Sequence, residues 1–572
     1  MATAVPSALK PSRTKPAAQD RPLSPQERYF LQQAEAIHRV YAPVYPDRRI
    51  HIILKALDRP QGDPDSIVVQ PGTPDLSMID ASYLGTVQFG NDGADDDAAA
   101  RAGTGTAPDA ERDVTIVAGI PRQVRPGDMD SGKTAPDFRH RAVLGSLLWR
   151  APVLFEQGKY HYEMRQKAQC AQKHSFSPIP RATSRPLGRL ETKTRDTGKP
   201  PAILIGFHWL EMGGAEKLAF DCVKWARAAG FRVLVVAERA DIHRHASKLP
   251  QDADVEFIRA DAYLHPGNWF AFLEQLVLSE NIRAIHIHHN VRLYDNLLRL
   301  KAAFPDLVMI DSTHIVEYEN GGFPRTSGVW TNYIDHHHVI SRDLVSFYLD
   351  RFGVSEKVLL GRMLDPVDPA APEPTPAFRL SAGQKSCRIA FVGRMVHQKR
   401  APLVVEIARR LQIWARAQGI GLQVDMVGTG AYLDVVRHMI RKANLSGTIT
   451  LHPADADVPA LLGQADILVL PSSNEGLALV CYEAIANGAL PISTDVGGQD
   501  ELVPESLLVA PPPLACVKDT VALIRRLMTE PAFLADCKTG TAAGYRALRA
   551  DPTAQEVLTA LYSDILRKAD AT

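Results

Sequence analysis

From Ala202 the chain runs through the apolar segment Ile203-Leu204-Ile205-Gly206, a loop with two adjacent glycines, a helical stretch Leu218–Ala229 closed by Gly230, and a second apolar segment Phe231–Ala237. Strand, loop, helix, strand in this order is a βαβ unit. The crossover implies parallel strands and a right-handed connection. Further strands are predicted at Val255–Ile258, Ala284–His288, Val308–Ser312 and Asp335–Ser341. The Pro-rich segment Asp365–Ser386 then separates a second series, with strands at Cys387–Val392, Leu422–Val427, Thr448–Leu451 and Ile467–Leu470 and helices at Ala401–Gln418 and Leu433–Ala443. The fold class expected is α/β, with two doubly wound Rossmann-like domains. Open sheets of this kind bind ligands beyond the carboxyl ends of their strands, so the site is expected in the cleft between the domains.

A chain of 572 residues is too long for one core. Its 65 Lys plus Arg balance 65 Asp plus Glu, which speaks against a nucleic-acid binder held by phosphate contacts; an anionic substrate must be met locally. The six cysteines, Cys170, Cys222, Cys387, Cys481, Cys516 and Cys537, include no close pair. Neither a zinc ribbon nor a disulfide framework is predicted, and a reducing, cytoplasmic setting is expected. The N-terminal stretch lacks the apolar core of a secretory signal, and no run approaches the ~20 apolar residues of a membrane helix.

Residues 1–200 form an N-terminal extension of unassigned fold. The chain up to Gln26 has the composition of a disordered segment, whereas Tyr29, Leu31, Ala34, Ile37 and Val40 recur at near-helical spacing. Ile50–Leu57 reads as a strand or a helix end, Ser66–Val69 and Tyr83–Phe89 as short apolar pieces, and Asn91–Arg112 as a flexible insertion. Arg141–Lys167 sets Val143, Leu144, Leu147, Leu148, Val153, Leu154 and Phe155 among basic residues. It reads as an interfacial helix, giving peripheral association with the inner face of a membrane, or, more commonly for such a pattern, as a helix packed on a core or partner; Pro152 and Gly158 interrupt it. Gln172–Pro200 reads as a linker.

The densest chemistry lies in Ala465–Gly498, ADILVLPSSNEGLALVCYEAIANGALPISTDVGG. It reads as a strand, a polar loop, a helix opening near Gly476 and closing at Gly488, and a second strand ending in a glycine pair. Glu475 precedes the helix and Glu483 lies about two turns into it, so their carboxylates are on the order of 10 Å apart, roughly the span of a sugar-nucleotide diphosphate. Between them the helix N-terminus offers free N–H groups and partial positive charge for phosphate. Arg394 and Lys399 flank another strand-to-helix turn, where two cations and helix N–H groups converge on a diphosphate.

This block resembles the family 4 retaining glycosyltransferases of the GT-B fold, whose signature is a pair of glutamates separated by seven residues. Glu475, Gly476, Glu483 and Gly488 match it, followed by Gly497, Gly498 and Glu501; Ala478 stands where glycine is usual. The resemblance extends to Phe-Val-Gly-Arg with Gln398-Lys399, where Arg400 replaces a glycine, and to Gly213-Gly214-Ala-Glu in the first domain. Gly428 and Gly430 follow a strand in a place suited to a loop under the nucleotide. Leu364-Asp365-Pro366-Val367-Asp368 is degenerate against the family's linker motif.

His286 and His288 alternate on one face of a strand, but neither cysteine nor carboxylate nearby in sequence completes a tetrahedral set, so no metal is expected. The family carries a sugar-site histidine at the end of this strand; His288 is the best match and His289 the fallback. His336–His338 are consecutive, so their side chains splay, and they are read as a surface or polar strand.

The resemblance covers about Ile203–Arg567 and implies transfer of a sugar from a nucleotide-sugar donor, UDP- or GDP-linked, to a glycan or lipid-linked acceptor. Retention and independence of metal are implied with it, as is a role in cell-surface polysaccharide or glycoconjugate synthesis. The implied catalytic set is Arg394, Lys399, Glu475 and His288; Gly213, Gly214, Gly428, Gly430, Gly476 and Glu483 would bind the nucleotide-sugar, which is a co-substrate, no separate cofactor being expected. The expected units are 1–200, 201–364, a linker 365–386, 387–552, and a terminal helix 553–572 crossing back to the first domain. A non-catalytic sugar-nucleotide-binding subunit and an epimerase of the same fold are the rival readings.

Overall fold

The structure, a computed structural model, describes residues 25–57, 67–72, 82–89, 113–121, 142–181, 192–195, 198–211, 213–241, 243–366 and 376–570. Two parallel sheets dominate. In the first, the strands lie in the order Val358–Leu360, His336–Val339, Val308–Thr313, Ile282–His288, Ala202–Phe207, Arg232–Ala237, Val255–Ile258. In the second the order is Ile449–His452, Gly421–Val427, Ser386–Val392, Ile467–Leu470, Leu490–Thr494, Leu508–Val509. Both orders reverse beside the first strand of the sheet, so each has its switch point at the carboxyl ends of Ala202–Phe207 and Ser386–Val392. Every residue of Ala202–Phe207 is buried, as expected of a parallel strand covered on both faces.

The first described helix and the strands of the extension are part of the first domain's core. Pro25–Tyr41 is a helix, and Val68–Pro71, Asp113–Pro121, Arg49–Leu57 and Tyr83–Phe89 form a mixed sheet in that order. Ala34, Ile37, Val40 and Ile52 are fully buried in one cluster with Leu204, Leu276 and Leu297 of the first Rossmann-like domain. Burying each such Ile or Leu contributes on the order of 1.5–3 kcal/mol. Arg39 closes the contact by pairing with Glu256 and Glu280. The expectations for residues 1–24 and for Asn91–Arg112 lie outside the described residues.

The segment from 142 onward is two helices, Ala142–Arg150 and Pro152–Lys173, broken at the proline. They pack on the second domain: Leu148 is buried in its core, and Val153 and Phe155 lie against it. That face is therefore occupied by protein, while Leu147, Trp149 and Leu154 stay exposed. The second helix then runs toward the first domain, where Lys167 lies over the Tyr318 ring and Phe176 meets Phe347 and Phe352. The Ile179 N–H donates to the Val329 carbonyl. This helix straps the two domains together.

The last helix, Ala554–Asp570, returns to the first domain, where Leu558, Tyr562 and Ile565 are buried with Leu218 and Cys222. Arg362, 1% exposed, ties the crossing: it donates to the Ile340 carbonyl and to Asp551, and pairs with Glu501 at 2.6 Å. Among the described residues, no helix is long and apolar enough to cross a membrane.

His337 and His338 correct the surface reading of the triple histidine, since both are fully buried. His337 is held between Asp311, Ser327 and Thr331, and His338 between Ser312 and the Gly361 carbonyl. Every ring nitrogen has a partner, which is what makes their burial tolerable.

Candidate active site

A cavity of about 770 Å³ lies between the two domains, at the carboxyl ends of both sheets. On the second-domain side it is built from two loops. The loop after Ser386–Val392 turns at Gly393, and its backbone is pinned by Gly393 N–H to Val427 O at 3.1 Å and Met395 N–H to Thr429 O at 2.8 Å. Gly428 and Gly430, with φ of +134° and +148°, pack beneath it: a Cβ on them would stand 2.1 Å from the Gly393 carbonyl oxygen and 2.6 Å from that of Met395. They support the loop and do not line the cavity, which differs from the nucleotide-contact role expected of them.

Arg394 is exposed at the cavity wall, and Lys399 reaches across to Glu475 at 2.6 Å. Arg400 takes the left-handed backbone (φ +47°) that glycine would adopt freely, and it is buried, with a guanidinium N–H donated to the Pro511 carbonyl.

The second loop, Pro471–Ala478, is tied to the first by Ser473 N–H to Gln398 O and Gln398 Nε2 to Asn474 O, and to the opposite domain by Tyr318 Oη to Ser473 O. Glu475 is 7% exposed. The helix itself is Leu479–Ala486, three residues later than the expected opening. Sequence reasoning missed the residue that begins it: fully buried Gln499 accepts the Ala478 N–H and donates to Ser493 Oγ. Glu483 lies on the cavity wall, where partial burial raises its carboxyl and Lys217 acts in the opposite direction.

Glu501 serves as an interdomain tie, accepting the Arg342 N–H and pairing with Arg362. At Gly476 the two domains pack tightly, since a Cβ there would be 1.8 Å from the His314 carbonyl oxygen.

The first domain supplies Gly213, the N-cap, and Gly214, the first residue, of the helix Gly214–Ala229, with Trp209 donating its indole N–H to Glu216 at 2.9 Å. Of the two histidine candidates, His289 lines the cavity. It sits at φ +55°, stacks on Phe323 at 4.3 Å, and burial pushes its pKa down to about 4, so it is neutral. His288 faces the core behind the cavity, buried, with both ring nitrogens unpartnered. The strand alternation that puts His286 and His288 on one face sends both inward, and His289 turns out only because the chain leaves the strand there.

Tertiary structure also brings Cys222 to His286 and His288, their ligand atoms all within 4.8 Å. Sequence spacing hid that grouping. Both nitrogens of His286 are already engaged, by Tyr562 Oη and Ser312 Oγ, and burial raises the Cys222 thiol, so these residues are set up as a packed neutral core.

The strap helix reaches this site. His397, in the Arg394–Lys399 loop, lies between the carboxylates of Glu156 at 2.7 Å and Glu163 at 2.6 Å. Burial alone would lower its pKa, but the two carboxylates outweigh it and raise it.

Two facing doubly wound domains with the site in the cleft between them constitute the GT-B architecture. Residues 377–543 match the model of the family Glycosyl transferases group 1, so the resemblance carried by Glu475, Gly476 and Glu483 holds across most of the second domain. The chain is 33% identical over 135 residues to a D-inositol 3-phosphate glycosyltransferase of Arthrobacter sp. (strain FB24), covering 22% of this chain and 31% of that one. It is 31% identical over 153 residues to the protein so named in Paenarthrobacter aurescens (strain TC1), covering 24% and 37%. The chain thus spans about a third of the length of these curated relatives. A glycosyltransferase from Rickettsia africae ESF-5 superposes with a TM-score of 0.48 at 16% identity, over 65% of this chain and 99% of that one. Anabaena Alr3699/HepE in complex with UDP-glucose superposes with a TM-score of 0.46 at 14% identity, over 65% and 99%.

Proposed function

We propose that this protein is a glycosyltransferase that moves a sugar from a nucleotide-sugar, UDP- or GDP-linked, to an acceptor hydroxyl. The observation that carries this is the grouping of Arg394, Lys399 and Glu475 on one wall of the cleft, opposite the Gly213–Gly214 loop. Cleavage of the donor's anomeric C–O bond leaves negative charge on the departing diphosphate. Arg394 and Lys399, with the N–H groups opening Leu479–Ala486, are positioned to stabilise that charge where it develops. Glu483, on the same helix, holds the ribose, and Glu475 orients the sugar while its pair with Lys399 fixes both side chains. His289 takes the sugar-site role first assigned to His288, because it is the neutral ring that borders the cavity.

Retention by front-side attack, catalysis without a metal, and glycan or lipid-linked acceptors in cell-surface polysaccharide or glycoconjugate synthesis belong to this reading. So does work at the cytoplasmic membrane face. The test is thermal unfolding of the full chain with UDP, GDP and ADP and their sugars. One nucleotide family is expected to raise the midpoint, and Lys399→Ala is expected to abolish both the shift and nucleotide release. No shift with any of them would overturn the proposal.

A further inference from the structure

The two halves of the cleft differ in charge. On the second-domain wall the described lining residues include the cations Arg394 and Lys399 beside two carboxylates, Glu475, which pairs with Lys399, and Glu483. On the opposite wall, contributed by the first domain and the strap helix, the described lining residues include Glu163, Glu216, Glu317 and Glu319 and contain no Lys or Arg. The histidines on that side, His289 and His314, are held neutral by burial. Two cations approach from outside the lining: Lys167 lies over the Tyr318 ring, and Lys217 pairs with Asp221 and acts on Glu483. Aromatic faces interleave with these carboxylates, from Trp209, Tyr318 and Phe323. Two polar atoms on this wall are unspent: Nε2 of His314, which is 7% exposed and borders the cavity, and Oε2 of Glu163, whose other oxygen pairs with His397.

A phosphate or carboxylate placed on this wall would meet the like charge of Glu216, Glu317 and Glu319, with no Lys or Arg among the wall's described lining residues to compensate it. Hydroxyl groups suit it, since carboxylates accept from O–H donors and aromatic rings pack on the C–H faces of a sugar. Resting on the glycosyltransferase reading above, we infer that the acceptor hydroxyl is presented by an uncharged, unphosphorylated glycosyl unit, bound between the strap helix and the first domain with His314 Nε2 as one of its hydrogen-bond partners. Glu163 makes the strap helix Pro152–Lys173 part of this acceptor site.

The experiment uses the full chain saturated with the nucleotide that shifts its melting. Ligand-observed saturation-transfer NMR compares methyl hexosides with the matching hexose 6-phosphates. The neutral member of a pair is expected to bind about tenfold more tightly or better, and the ratio is expected to narrow in a Glu317→Gln/Glu319→Gln double variant. Equal or tighter binding of the phosphorylated member, binding of neither, or an unchanged ratio in the variant would each overturn the inference. The nucleotide shift, read separately and dependent on Lys399, tells failure here from failure of the glycosyltransferase reading.

Discussion

Lys399 Nζ lies 2.6 Å from Glu475 Oε1, with both side chains largely shielded from solvent. The two residues stand 76 positions apart, on different loops of the second domain, so the contact joins its two ligand-facing loops into one unit. Arg394, by contrast, is exposed and has no ion pair among the described residues. Two cations of similar assigned role therefore differ in what they do for the fold.

Removing Lys399 leaves a mostly buried carboxylate without its partner, whereas removing Arg394 leaves nothing uncompensated. Lys399→Ala is expected to lower both the melting temperature and nucleotide affinity. Arg394→Ala is expected to lower affinity by roughly 10- to 100-fold, the worth of a charge-assisted hydrogen bond, with the melting temperature unchanged. Calorimetric titration with the bound nucleotide and thermal scans of both variants distinguish these outcomes.

Gly476→Ala places a Cβ against the His314 carbonyl, a backbone atom of the other domain, so relief requires the domains to separate. A loss of at least ~1–3 kcal/mol of stability is expected from overpacking. Gly214→Ala is the control, since a Cβ there meets nothing within 4 Å. Denaturant unfolding of the two variants measures the difference.

His397 titrates the strap. Its folded pKa is raised, so protonated His397 between Glu156 and Glu163 stabilises the docked helix. That contribution is full below the unfolded pKa of ~6.5 and is lost as pH rises through the raised folded value. The difference in melting temperature between the native chain and Glu163→Gln is expected to be largest at pH 6 and to shrink toward pH 9. A difference that grows with pH contradicts this assignment.

The buried histidines act in the opposite sense. Burial lowers the pKa of His286, His288, His289, His314 and His338, to about 4 for His289 and His338. The unfolded chain binds protons at these positions below pH ~6.5 that the folded chain does not take up, so stability falls as pH drops from there toward 4. Each such group adds up to ~1.4 kcal/mol per pH unit in that window. A steep fall of the melting temperature between pH 6.5 and 4.5, reduced in His338→Asn, is the expected result.

Periodicity and glycine placement alone determined that there are two parallel α/β units, because βαβ order leaves no other sheet geometry. Together with the spacing of Glu475, Glu483, Arg394 and Lys399, they also picked out residues that line one wall of the cleft, at or near strand-to-helix turns fixed by local chain direction. Tertiary structure decided the rest. The extension's short strands carry too little pattern to declare a sheet, and they form one only because Asp113–Pro121 pairs with both Arg49–Leu57 and Val68–Pro71. Which histidine borders the cleft depended on where the strand ends. The strap of Glu156 and Glu163 on His397 joins residues 234 to 241 positions apart, and no local pattern encodes a contact whose strength comes from burial between domains.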